Sequence, residues 1–138
     1  NPNYAFFGEK DYQQYLIIAE LARVYFPQIE IIMCPTQREQ NGLAMSSRNS
    51  RLSSKDFEKA KEIYRILKYC KENFDFSNRE ELEKTCLKKL AEFSEPEYFE
   101  IRHSDDLLNN GDKLKSWRAF TATNLGGIRL IDNIALNQ

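Results

Sequence analysis

Apolar and polar positions change rhythm several times along the chain, and the changes mark out its elements. Tyr4 to Phe7 is a short aromatic run that reads as a strand and passes through Gly8 into a helical pattern. That pattern predicts a helix over Asp11 to Phe26, because Asp11 and Gln14 have capping-box spacing and Pro27 stands where a helix should stop. Tyr12, Leu16, Ala19 and Ala22 line one face of it, and Ile17, Ile18, Leu21 and Val24 occupy much of the rest. Such a helix is expected to be covered on two sides. Ile29 to Met33, interrupted only by Glu30, has the near-continuous apolar character of a strand buried on both faces of a parallel sheet.

Strand, helix and strand make one right-handed βαβ unit. Gly8 to Asp11 falls at the carboxyl end of the first strand and the amino end of the helix, which is where open α/β sheets bind ligands. A single βαβ unit cannot complete a doubly wound sheet, so flanking strands are expected outside this chain. The abrupt Asn1-Pro2-Asn3-Tyr4 start is likewise expected to be a cut and not a natural terminus.

After Pro35 the chain turns polar and irregular through Thr36 to Arg51, which places a domain boundary near Thr36 and divides the chain into 1–36 and 37–138. Ser53 or Ser54 then caps a helix running to about Asn73, with Phe57, Ala60, Ile63, Tyr64, Leu67 and Cys70 at helical spacing. Ser77 with Glu80 is expected to cap a second helix whose inner stripe is Leu82, Cys86, Leu90 and Phe93, and Pro96 separates helices from strands. Tyr98 to Arg102 alternates, and Trp117 to Thr123 and Ile128 to Ile131 follow as strands joined through Asn124-Leu125-Gly126-Gly127. Asp105 to Lys115 reads as a polar loop. The fold class is therefore α/β followed by α+β, a βαβ unit and then helices on a three-stranded antiparallel sheet.

Composition narrows what such a chain can do. With 138 residues, about two-fifths of them apolar, it can bury roughly two-thirds of its unfolded surface. Twenty basic and twenty-one acidic side chains leave no net field to steer it toward nucleic acid or an anionic membrane, so any anion must be held by a local cluster. Cys34, Cys70 and Cys86 are odd in number and form no C-x-x-C pair, which fits core filler in a reducing compartment and not disulfides or structural zinc. His103, the single histidine, cannot build a histidine-rich metal site, so no protein metal site is expected and any metal would be oxygen-bound, such as magnesium. The longest apolar runs, such as Tyr15 to Ala19, fall far short of the roughly 20 residues of a membrane-spanning helix.

Two segments combine donors suited to an anion with backbone suited to close approach: Gly8-Glu9-Lys10-Asp11 and Ser46-Ser47-Arg48-Asn49. Gly8 leaves no Cβ in a ligand's way, Lys10 supplies a point charge and the helix start adds unpaired N–H groups. Each also has an ordinary reading. Asp11 and Gln14 could simply cap the helix, Lys10 could be a solvated charge, and Ser46 to Asn49 could be a polar turn. Spacing alone leaves these open.

Three stretches taken together, Phe7-Gly8-Glu9-Lys10-Asp11-Tyr12-Gln13-Gln14, Gly42-Leu43-Ala44-Met45-Ser46-Ser47-Arg48-Asn49 and Arg129-Leu130-Ile131-Asp132-Asn133, resemble the pantothenate synthetase (pantoate–β-alanine ligase) family in order and separation. The resemblance runs through essentially the whole chain. It implies that 1–36 is the carboxyl-terminal end of a Rossmann-like ATP- and pantoate-binding domain and that 37–138 is a closing, lid-like domain, in a cytoplasmic homodimer. The implied reaction is two-step: ATP and pantoate give pantoyl adenylate and pyrophosphate with Mg2+, and the β-alanine amine then displaces AMP.

Carried onto this sequence, the resemblance places Lys10, Ser46, Ser47 and Arg48 on the phosphates as the catalytic set. It places Gly8 and Asp11 on the ribose, Gln37 and Met45 at the adenine, Glu9 within the ATP site and Gln14 on pantoate. The family's histidine-containing phosphate motif would lie upstream, so the chain alone is expected to be inactive. Two other readings stand beside this one, a folded dimerisation module without catalysis and a nucleotidyl-transferring relative with another substrate.

Overall fold

The computed structural model describes residues 2–109 and 115–137, so the centre of the loop expected over Asp105 to Lys115 lies outside the described residues. The chain divides into two compact units, Asn1–Gln37 and Arg38–Gln138.

In the first unit, β1 (Tyr4–Gly8) leads through a 3-10 turn (Glu9–Asp11) into α1 (Tyr12–Tyr25), and β2 (Glu30–Cys34) follows. The two strands are parallel, with Tyr4 opposite Glu30 and Gly8 opposite Cys34, so their carboxyl ends share one edge. The expected capping box is absent: the Asp11 side chain makes no cap bond, because the chain is already coiled through Glu9–Asp11 when α1 begins. The other end behaves as read, with the Phe26 N–H returning to the Ala22 carbonyl at 2.8 Å and Pro27 blocking continuation.

Coverage of this unit departs from expectation. Ile31, Ile32 and Met33 are only half-buried, and Ile17, Leu21 and Val24 of α1 are exposed. One helix on two strands offers a single layer, and a single layer cannot cover both faces of a sheet.

In the second unit, α2 (Ser54–Asn73) and α3 (Arg79–Ala91) back an antiparallel sheet of β3 (Glu95–His103), β4 (Trp117–Leu125) and β5 (Ile128–Ala135), ordered β3-β4-β5. Ser53 caps α2, its hydroxyl oxygen accepting the Asp56 N–H at 3.1 Å. Ala60, Ile63, Leu67 and Cys70 form the buried stripe, joined by Ile66. Asp75 replaces the expected Ser77–Glu80 cap. It closes a capping box with Asn78 around a 3-10 turn (Phe76–Asn78), and Ser77 donates to it through both N–H and hydroxyl. Leu82, Cys86 and Leu90 of α3 then point inward as read.

Pro96 does not separate helix from strand but lies within β3, beside a register irregularity. β3 is an edge strand, where a residue lacking an N–H is tolerated. β4 and β5 outrun their expected lengths and meet at a two-residue turn, Gly126-Gly127, whose φ angles of 57° and 76° suit a tight hairpin. The helices and sheet enclose one core, in which Ile63, Leu67, Leu90, Ile101 and Trp117 are wholly buried. Each such aliphatic side chain contributes roughly 1.5–3 kcal/mol by leaving water.

The cysteines divide. Cys70 and Cys86 are core residues, and the hydrogen bond between them, reinforced by burial, pushes the Cys70 thiol far above the usual thiol range. Cys34, at the end of β2, is half-buried and so not the filler expected. All three are free thiols.

Candidate functional site

The residues singled out for chemistry fall on both compact units. Gly8, Glu9, Lys10, Asp11, Gln14 and Gln37 belong to the first, and Met45, Ser46, Ser47 and Arg48 to the second.

In the first unit, Gly8 ends β1 and the 3-10 turn carries Glu9, Lys10 and Asp11 across the strands' carboxyl edge. Gly8 has φ −73° and ψ 134°, ordinary extended values, and a Cβ built there would meet no atom of the described residues within 4 Å. The fold itself does not require glycine at this point, so a requirement would come from something approaching the backbone. The Glu9 carboxylate accepts the Thr36 N–H at 3.2 Å and ties the turn to the segment after β2. Asp11 and Gln14 are exposed one helical turn apart, Lys10 is half-buried and Gln37 is exposed. Beneath them Tyr12 is buried, its ring 6.0 Å from that of Tyr15.

In the second unit, Met45 to Arg48 lie on a loop that enters a 3-10 turn (Ser47–Arg51). The Ser46 hydroxyl oxygen accepts the Arg48 N–H at 3.2 Å, and the Ser50 hydroxyl donates to the Ser47 carbonyl at 2.9 Å. Asn49, buried, donates to the Ala44 carbonyl at 3.2 Å and reaches Glu39 at 3.4 Å, so the loop is stitched from within. Met45, Ser47 and Arg48 stay exposed. The Arg48 guanidinium has no ion-pair or side-chain hydrogen-bond partner among the described residues, which leaves a fixed cation open to an anion. A cleft of about 690 Å³ adjoins the loop, lined by Ser46, Ser47, Asn49, Ser50, Ser54, Phe57, Glu39 and Glu58.

Sequence reasoning missed Asn49 as a buried brace, and with it Arg38, Tyr64 and Asp132. Arg38 places two guanidinium nitrogens 2.6 and 3.0 Å from the two Asp132 oxygens and stacks 3.8 Å from the centre of the Tyr64 ring. The available signal was Asp132 itself, a carboxylate in an apolar strand that must find a cation if it is buried. His103 takes no part in these clusters: it ends β3, buried, with its ring 4.1 Å from that of Trp117 and neither nitrogen hydrogen-bonded among the described residues. A second hollow, about 480 Å³ and lined by residues of α2 and α3 with Glu92 and Phe93, contains none of the residues singled out.

The family model described as pantoate-beta-alanine ligase matches residues 1–135. The chain is 43% identical to a pantothenate synthetase of Christiangramia forsetii and 41% to one of Flavobacterium psychrophilum, in each case over 99% of this chain and 50% of the relative. Among solved structures it resembles pantothenate synthetase from Thermus thermophilus, with TM-score 0.87 and 33% identity, covering 99% of this chain and 51% of that one. It also resembles pantoate-beta-alanine ligase from Francisella tularensis complexed with beta-gamma ATP and beta-alanine, with TM-score 0.68 and 39% identity, covering 99% of this chain and 45% of that one. The chain spans about half the length of the curated relatives it matches.

Proposed function

We propose, from the premise that the chain belongs to the pantoate–β-alanine ligase family, that it forms the carboxyl-terminal portion of an ATP-dependent, AMP-forming ligase joining pantoate to β-alanine. The observation that carries this reading is the Arg48 guanidinium, unpartnered among the described residues and mounted with Ser46 and Ser47 on a loop braced by buried Asn49. A carboxylate resists direct attack by an amine because oxide is a poor leaving group. Adenylation supplies a good one: a pantoate carboxylate oxygen attacks the α-phosphorus and pyrophosphate leaves, then the β-alanine nitrogen attacks the acyl carbon and AMP leaves with the bonding electrons.

No side-chain nucleophile is required, so the residues position groups and neutralise charge. Lys10 contacts the ATP phosphates, Ser46, Ser47 and Arg48 clamp the β and γ phosphates, and Gly8 and Asp11 face the ribose. Gln37 and Met45 border the adenine and Gln14 meets pantoate, while Glu9 shapes the ATP site through its bond to Thr36. Among the described residues no three carboxylate, thiol or imidazole groups gather into a metal cage. Magnesium enters as part of the MgATP substrate, on the phosphates.

The Francisella tularensis relative, solved with beta-gamma ATP and beta-alanine, supports both as ligands of the full-length protein. The exposed Phe6, Ile17 and Tyr25 supply apolar surface for a homodimer or for further layers of the domain, and three free thiols fit a reducing cytoplasm.

In the full-length protein, Lys10→Ala or Arg48→Ala should slow pantoate-dependent adenylation at least ~100-fold in rapid quench. An unchanged rate for both would refute the assignment.

A further inference from the structure

The third family-like segment, Arg129 to Asn133, has no place in the phosphate reading, yet the structure gives it a partner. Asp132, on β5, has a side chain only 2% exposed, and both its oxygens are held by Arg38, 94 residues earlier in the chain. A fork on a carboxylate fixes orientation as well as distance. The same guanidinium donates to the Gly42 carbonyl at 3.2 Å, and its carbon lies over the ring of Tyr64 of α2, 3.8 Å from the centroid.

From Arg38 the contacts run directly to the phosphate loop. Arg38 forms an antiparallel bridge with Ala44, and the Glu39 N–H donates to the Leu43 carbonyl at 2.8 Å, closing a tight loop. Gly42 turns it with φ 95°, where a Cβ would meet the Tyr64 ring at 2.9 Å. The Ala44 carbonyl accepts from Asn49, whose own N–H donates to the Ser46 carbonyl at 3.0 Å. Ser46, Ser47 and Arg48 thus hang from a frame with two fixed walls, Asp132 on the sheet and Tyr64 on the helix.

We propose that Arg38, clamped by Asp132 and Tyr64, is a positioning residue that sets the register of Ser46, Ser47 and Arg48 for the departing pyrophosphate. This rests on the reading of that loop as the phosphate grip. Arg38 acts through the loop and touches no substrate. Losing the fork leaves the three groups present but loosely aimed, so the loss falls on turnover more than on ATP binding.

The test uses full-length protein, with pantoate-dependent ATP–pyrophosphate exchange per folded molecule and melting temperature measured for Arg38→Lys, Tyr64→Leu, Arg48→Ala and the double variant Arg38→Lys/Arg48→Ala. Arg38→Lys keeps the charge and loses the fork. It should lower kcat by about 10- to 100-fold with ATP KM changed only a few-fold. Tyr64→Leu, which keeps the ion pair, should move kcat in the same direction by a smaller factor.

Arg48→Ala should then cost much less in the Arg38→Lys background than alone, because an already misaimed guanidinium has less to lose. If Arg48→Ala abolishes exchange while Arg38→Lys and Tyr64→Leu keep wild-type kcat, the positioning role is wrong and the phosphate grip stands. Full additivity of Arg38→Lys and Arg48→Ala also overturns it, since a structural defect would multiply through without coupling. If Arg48→Ala leaves exchange unchanged, both readings fall.

Discussion

In Arg38–Gln138 the apolar residues of two helices and three strands meet in a continuous core, with Leu67, Leu90, Ile101 and Trp117 wholly buried. In Asn1–Gln37 the described residues bury only Tyr12 and Ala22, and Phe6 and Tyr25 remain 66% and 69% exposed. Both stretches are rich in apolar side chains, so hydrophobicity alone does not explain the difference. The second unit has two layers, and every inward stripe has something to face. The first has one helix on one pair of strands, enough to define a strand–turn–helix edge and too little to enclose it.

The comparison breaks most completely if the units are separated. Residues 38–138 alone should melt cooperatively by circular dichroism, whereas a peptide of residues 1–37 should show no cooperative transition, since pieces below about 40 residues seldom hold a core without a staple. A folded 1–37 peptide would overturn the contrast. Within the whole chain, Leu67→Ala should cost about 2–5 kcal/mol in denaturant unfolding and Leu21→Ala, 45% exposed, less than about 0.5 kcal/mol.

Glycines sharpen the same contrast at a smaller scale. A Cβ at Gly126 would lie 2.5 Å from an Asp56 carboxylate oxygen at φ 57°, so Gly126→Ala should destabilise by about 1–2 kcal/mol. At Gly8, with open space and an ordinary φ, alanine should be nearly silent in the same unfolding assay.

The smallest effect expected is a pH dependence at the turn between α2 and α3. The hydroxyl and N–H of Ser77 hold the Asp75 carboxyl below the usual carboxylate range. Its folded pKa lies under its unfolded one, so this stabilisation is present above the unfolded value and fades as pH falls through the folded value. Asp75→Asn should flatten that acid-side slope in melting temperature. An unaltered slope would show that Asp75 does not carry it.

What could be read from the sequence follows the range of the forces involved. The cap at Ser53 and the stripe from Ala60 to Cys70 are local and were legible. So was the parallel pairing of β1 and β2, because a near-continuous apolar run beside a helix admits few alternatives. The caps at Asp11 and Ser77 were misread because several nearby polar groups compete for the same N–H groups, and a 3-10 turn shifts the register by a residue or two.

The candidate site divides along the same line. Its residues were named from contiguous motifs, and the structure supplies their settings: open space at Gly8, an exposed guanidinium at Arg48 and a brace at Asn49. The clasp between Arg38 and Asp132 spans 94 residues, so the carboxylate in its apolar strand signals a cation without saying which one.

That clasp also constrains how descendants of this sequence can drift. A single replacement at Arg38 takes the guanidinium from a carboxylate only 2% exposed, and one at Asp132 takes the carboxylate from a guanidinium 19% exposed, so either change alone costs stability. The two sites should therefore change together or not at all, through rare paired substitutions, while the exposed Glu20 and Arg23, whose contact water can replace, remain free to vary one at a time.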